Sequence, residues 1–274
     1  MILVNGIQTN DVSALNRGLA YGDGLFETLA VVGGNILNWP RHLARLDYGC
    51  TKLKITRPDF DQAFEEARTV AAGFARCVVK IIITRGNGGR GYTPSPTVAT
   101  TRIIARHEWP EGYAERERVG VRVCVAQHQL SLNPHLAGLK HLNRLDQVLA
   151  SIELKERGTT EALMLDVDNR IIEATRCNLF VVQNGVLATP RLTSCGIRGV
   201  MRDIILQLAP GLNLPVEELD LTLDSLRSAD ELFLCNTIAG IWPVIEVDEN
   251  PRKTYAIGDI SRRLQEAIRA GGHH

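Results

Sequence analysis

Five of the six residues from Val78 to Ile83 are β-branched, and this run constrains the fold more than any other stretch. Side chains branched at Cβ lose rotamers in a helix and pack well on a pleated surface, so the run reads as a buried strand. Other strands follow from shorter signals. Ile2-Leu3-Val4 closes on Asn5-Gly6, and Phe26–Val32 turns at Gly33-Gly34-Asn35 into Ile36-Leu37, a hairpin pattern. Val119, Val121, Val123 and Val125 alternate with their neighbours at strand period. Ala162–Asp166, Ile171–Ala174, Leu179–Val182 and Leu232–Leu234 add four more, with Asp168-Asn169 and Asn184-Gly185 at the turns.

Helical stripes lie between these strands. Leu43, Leu46, Cys50 and Leu53 share one face, Asp59–Phe74 follows Pro58, and Leu142, Leu145, Leu149 and Ile152 mark a third helix. Val200–Leu208 and Ile257–Ala270 complete the set. Strands and helices are interspersed without strict alternation, which predicts an α+β fold. The length, 274 residues, suits one large or two modest domains. Residues 109–117 are charged, contain Pro110 and Gly112, and read as a linker between an N-terminal domain, residues 1–108, and a larger C-terminal domain, residues 118–274.

Composition excludes several classes. Lys plus Arg and Asp plus Glu both number 31, so the basic excess of a non-specific nucleic-acid binder is missing. No apolar run reaches the ~20 residues of a membrane span. The first residues lack a basic region followed by an apolar core, so no signal peptide is visible, and a cytoplasmic protein is expected. Six scattered cysteines without a Cys-x-x-Cys pair read as reduced core thiols, and the histidines show no metal-ligand spacing, so no metal is expected.

Several residues are capable of chemistry, and each also has an ordinary reading. Lys140 borders the apolar stretch Ala137-Gly138-Leu139; burial favours its neutral, nucleophilic form, while a lysine that snorkels to water is the default. Glu173 ends the strand signal Ile171-Ile172, either as a solvated carboxylate or as a buried partner of a cationic nitrogen. Gly196-Ile197-Arg198-Gly199 precedes a helix, and helix N-termini hold phosphate, although a glycine there is also a simple turn. Thr237 ends a strand, and Arg45 lies on a helix face as a surface charge or a phosphate fork. The loop Arg85–Tyr92 has four glycines but neither the Gly-Lys-Ser/Thr pattern nor dinucleotide spacing. It reads as a flexible hairpin tip or as a frame from which Arg90 meets a substrate carboxylate.

The order of these residues carries more than any of them alone. Tyr21-Gly22-Asp23-Gly24-x-Phe26-Glu27, then His42-Leu43-x-Arg45-Leu46, Lys140, and Glu173 with Asn178-Leu179-Phe180 resemble the fold-type IV pyridoxal-phosphate enzymes over nearly the whole chain. Two segments, Arg85–Tyr92 and Asn133–Leu149, together with Thr28, resemble the lyase branch of that family, whose members convert 4-amino-4-deoxychorismate to 4-aminobenzoate and pyruvate. The resemblance implies a two-domain fold of the D-amino-acid aminotransferase type, with pyridoxal 5'-phosphate at the domain interface. It implies that Lys140 carries the cofactor and acts as base. It also implies that Glu173 pairs with the ring nitrogen, that Asn178 supports the ring, and that Arg45, the N–H groups of Ile197 and Arg198, and Thr237 hold the phosphate. Thr28 is expected as proton donor, with a plain strand role equally open, and Arg90 and Tyr92 as substrate residues. A homodimer is implied, with a small-molecule substrate and neither nucleic acid nor membrane as partner. The alternative on the same scaffold is a branched-chain or D-amino-acid aminotransferase.

Overall fold

The computed structural model of the chain describes residues 1–89, 91–95 and 98–274. They form two compact units: Met1–Trp109 with Leu139–Asn143 and His274, and Pro110–Gly138 with Arg144–His273.

The first unit contains β1 (Ile2–Val4), β2 (Ile7–Gln8), α1 (Arg17–Tyr21), β3 (Gly24–Val32), β4 (Asn35–Ile36), α2 (Trp39–Leu53), α3 (Phe60–Ala71), β5 (Arg76–Thr84) and β6 (Thr101–His107). Its strands form one antiparallel sheet in the order β2-β1-β6-β5-β3-β4. The β-branched run sits in β5, paired on both sides, to β3 and to β6. Val79, Ile81 and Ile83 are fully buried and pack with Leu25, Leu29 and Val31 of β3, Leu46 and Cys50 of α2, and Ala63, Ala67 and Val70 of α3. Lys80 and Ile82, on the other face, are only half-buried. The strand expectation holds, but the helices cover a single face. α3 starts as expected, with the Asp59 side chain accepting the Gln62 N–H at 2.9 Å, and ends at Ala71, before Phe74.

The five residues Leu139–Asn143 belong to this unit through β3. β4 covers only the far end of that strand, and the free edge at Gly24–Phe26 takes the segment instead. Phe26 N–H donates to Lys140 O at 3.0 Å, and Leu142 N–H donates to Gly24 O at 3.0 Å. Gly24 is needed for this approach: a Cβ there would stand 2.4 Å from Ile83 O and 2.8 Å from Leu142 Cδ1.

The second unit contains α4 (Tyr113–Val119), β7 (Val121–Val125), α5 (Leu145–Arg157), β8 (Glu161–Leu165), β9 (Ile171–Ala174), β10 (Asn178–Gln183), β11 (Val186–Pro190), α6 (Val200–Leu208), β12 (Val216–Leu219), α7 (Leu223–Arg227), β13 (Glu231–Asn236), β14 (Gly240–Asp248), β15 (Lys253–Thr254) and α8 (Asp259–Ala270). Its sheet runs β12-β11-β10-β13-β14-β7-β8-β9, with β15 on β14, and mixes parallel and antiparallel pairs. This is α+β, as expected. The turns at Asn169 and at Asn184-Gly185 take positive φ, which Asn and Gly tolerate.

Two local expectations are corrected. Residues 109–117 are not a bare linker: α4 begins at Tyr113, whose ring packs edge-on against buried Trp242 with centroids 4.7 Å apart. The third helix starts at Leu145 and not at Leu142, because the backbone of Leu142 is spent on β3. The helix also turns its expected apolar face outward. Leu145, Val148, Leu149 and Ile152 are exposed, while Ala150 and Leu154 face the core. All six cysteines are free and buried. Among the described residues no helix is long and apolar enough to cross a membrane.

Candidate active site

The backbone bonds at the edge of β3 aim the Lys140 side chain. Its Nζ lies 4.3 Å from the centre of the Phe26 ring. Phe26 and Thr28 occupy the half-buried face of β3, and Lys80, the cross-strand partner of Thr28, places its Nζ 5.0 Å from the same ring. The first unit therefore brings Lys140 and Thr28 to the face of the sheet that the helices leave open.

Arg45 stands elsewhere in the same unit and is tied to a carboxylate that sequence reasoning had quoted without a role. Glu27 shares the register of Leu25 and Leu29 along β3, so its side chain turns toward the helices and is 1% exposed. His42 and Arg45 lie three residues apart on α2 and both reach it. Arg45 donates from Nε to Oε1 at 2.8 Å and from Nη2 to Oε2 at 2.6 Å, and His42 Nδ1 meets Oε2 at 2.6 Å. Burial pushes the Glu27 pKa up, but the charge of Arg45 and the hydrogen bond from His42 outweigh it and hold the carboxyl at about 2. Burial pushes His42 below its ordinary value, and the hydrogen bond and charge of Glu27 recover only part of this. The carboxylate accepts only, so His42 carries its proton on Nδ1.

The second unit assembles Glu173, Asn178, Ile197, Arg198 and Thr237. Glu173 lies in β9 and is 3% exposed. Its Oε2 accepts the Ile197 N–H at 2.8 Å, and its Oε1 accepts from Gln147 Nε2 at 3.2 Å. Asn178, at the start of β10, donates from Nδ2 to Ile197 O at 2.8 Å. Thr237 follows β13 and is buried.

In the turn before α6 the amides of Ile197 and Arg198 donate to Glu173 and to Gly138 O, the latter at 3.1 Å. The helix begins two residues later. Its first turn closes with Asp203 N–H on Gly199 O, so the N–H groups of Val200, Met201 and Arg202 have no acceptor within the helix. Gly199 is required at the bend, since a Cβ there would come within 2.0 Å of Asn178 Oδ1. Asn178 thus holds the turn that presents the helix N-terminus, a site suited to phosphate.

Arg90 lies outside the described residues. Its described neighbours Gly91 and Tyr92 are held by Arg17. Arg17, which is 4% exposed, donates to Gly91 O and Tyr92 O at 3.1 and 2.9 Å and to Asp23, which also binds Arg85. The Tyr92 side chain is exposed, with its ring 5.6 Å from that of Tyr21. Sequence reasoning missed Glu27, His42, Gln147 and Arg17. The available signal for Glu27 was an acid in the apolar register of a strand, matched by an arginine and a histidine on one helix face.

The description "Amino-transferase class IV" matches residues 24–247. The aminodeoxychorismate lyase of Vibrio harveyi is 35% identical over 266 residues, 97% of this chain and 98% of that one. Among solved structures, the 4-amino-4-deoxychorismate lyase of Pseudomonas aeruginosa superposes with a TM-score of 0.93 at 42% identity, covering 100% of both chains. The branched-chain amino acid aminotransferase of Escherichia coli superposes with a TM-score of 0.86 at 28% identity, covering 97% of this chain and 92% of the other.

The Glu27 cluster makes the fold acid-sensitive. The folded-state pKa values of Glu27 and His42 are both depressed, so the stability they contribute is complete above the ordinary values, 4.5 and 6.5, and is lost as pH falls. Between about pH 4.5 and 3 the melting temperature of the wild type is expected to fall more steeply than that of Glu27→Gln, as read by thermal unfolding at stepped pH. Parallel slopes would contradict this.

Proposed function

Because the chain belongs to the class IV aminotransferases, we propose that it is a pyridoxal-phosphate lyase converting 4-amino-4-deoxychorismate to 4-aminobenzoate and pyruvate. The observation that carries this reading is the full-length likeness to two lyases, at 35% and 42% identity, against 28% for the aminotransferase structure.

The residues fit the cofactor. Lys140 offers an amine fixed by backbone bonds on both sides of it, and Glu173 offers a buried carboxylate for the ring nitrogen. The N–H groups of Val200 and Met201, the Thr237 hydroxyl and the Arg45 guanidinium suit the phosphate. Asn178 serves through the turn it braces. Bound pyridoxal phosphate supplies an electron sink for negative charge developed at substrate C4.

The chain's own groups then move protons. Lys140 Nζ takes the proton from C4 as general base. Thr28 Oγ1 gives a proton to the enolpyruvyl oxygen as its bond to C3 breaks. The C4 proton and the enolpyruvyl group are lost together, the ring becomes aromatic, and pyruvate departs. Arg90 and Tyr92 receive a substrate carboxylate.

The partner is a second copy of the chain. Leu145, Val148, Leu149 and Ile152 recur at helical spacing on the exposed face of α5, and such a stripe needs cover.

Three outcomes are expected. Wild-type protein releases pyruvate from 4-amino-4-deoxychorismate, and Lys140→Ala abolishes both this and a borohydride-sensitive absorbance of the cofactor. Amino transfer to a 2-oxo acid without pyruvate release would favour the aminotransferase instead. Thr28→Val slows pyruvate formation by about 10²-fold or more with cofactor affinity unchanged; an unaltered rate removes the proton role. Leu149→Glu shifts the mass measured by light scattering from dimer to monomer, and a wild type that is already monomeric defeats the dimer.

A further inference from the structure

The reaction as described leaves Glu27 without a part, although burying a carboxylate among Leu25, Leu29 and Leu46 is costly unless every lone pair finds a donor. Three N–H groups converge on it: Nε and Nη2 of Arg45, and Nδ1 of His42. We propose that Glu27 is a positioning residue, which fixes the guanidinium plane of Arg45 for the cofactor phosphate, with His42 as its brace. This rests on the reading of Arg45 as a phosphate residue.

The geometry argues for positioning. Nε and a terminal nitrogen on one carboxylate determine both the rotamer and the plane of a guanidinium, which a single contact does not. The fork is nearly closed to water: Arg45 is 13% exposed, Glu27 1% and His42 0%. His42 completes the lock without bringing a second cation, since burial keeps the ring toward its neutral form and its Nε2 has no partner among the described residues. An arginine on α2 would otherwise sample many rotamers, and ordering it at the moment of binding weakens the affinity.

A competing effect has the opposite sign. The negative charge of Glu27 opposes an incoming phosphate, so if charge dominated, neutralising Glu27 would tighten binding. The two effects separate on a pair of ligands, pyridoxal 5'-phosphate and pyridoxal, which differ only in the group that Arg45 would meet.

Dissociation constants of both ligands are to be measured on apoprotein of wild type, Glu27→Gln, Glu27→Asp, Arg45→Ala and the Glu27→Gln/Arg45→Ala double variant. Glu27→Gln is expected to weaken the phosphorylated ligand about tenfold, the effect of ordering one long side chain, and to leave pyridoxal within about twofold. Glu27→Asp keeps the charge but withdraws the carboxylate by one methylene, and is expected to show the same selective loss. It also serves if the Gln variant does not fold. In the Arg45→Ala background, Glu27→Gln is expected to add nothing. Equal weakening of both ligands, a tighter phosphorylated ligand in Glu27→Gln, or unchanged binding in Glu27→Asp overturns the proposal. A wild type that binds both ligands equally overturns the phosphate reading of Arg45 itself, and with it this inference.

Discussion

The position of the Lys140 amine depends on two backbone hydrogen bonds at the unpaired end of β3. Phe26 N–H to Lys140 O and Leu142 N–H to Gly24 O add a short antiparallel pair where β4 does not reach. An amine on a four-carbon stem is mobile by nature, and a base must stand within hydrogen-bond reach of the proton it takes. Anchoring the backbone at Lys140 O and at Leu142 N–H restricts the stem's origin, and the Phe26 ring lies against Nζ. Gly24 leaves room there, since a Cβ would stand 2.4 Å from Ile83 O of β5 and 2.8 Å from Leu142 Cδ1.

Within each unit the protein uses carboxylates as organisers. Glu27 gathers an arginine and a histidine from α2, Glu173 gathers the Ile197 amide and Gln147, and Asp23 gathers Arg17 and Arg85. Glu27 and Glu173 are enclosed enough that an unpaired charge would be strongly unfavourable, so each holds its donors in a narrow range of geometry. In this way residues distant in sequence acquire fixed orientations. Glu27 and Glu173 sit in strands, and the groups they orient sit on a helix or in a turn. The rigid sheet therefore sets the frame, as a precise site requires.

Sequence reasoning read the strands well where β-branched content or alternation was strong, as at Val78–Ile83 and at Val119–Val125 except for Val119, which ends α4, because burial in a sheet selects those side chains directly. It erred where a backbone was claimed by a distant element. Leu142 fits the helical stripe that continues through Leu149, yet its N–H belongs to Gly24, and no local pattern records that. A glycine before a helix marks an anion site, but which N–H groups remain for the anion depends on Glu173 and Gly138 reaching the turn from elsewhere.

By itself the sequence determined the α+β class, most strands and helices, and the set of chemically capable residues, including Lys140, Arg45 and Glu173. These follow from periodicity, from β-branched content and from residue order, all of which are local or linear properties. Only the tertiary structure decided that Glu27 binds Arg45, that α5 starts at Leu145 and turns its apolar stripe outward, and that the uncommitted amides are those of Val200, Met201 and Arg202. The physical reason is that hydrogen-bonding capacity is finite. Each donor and acceptor is spent once, and which partner takes it is settled by close approach in three dimensions, not by neighbours along the chain.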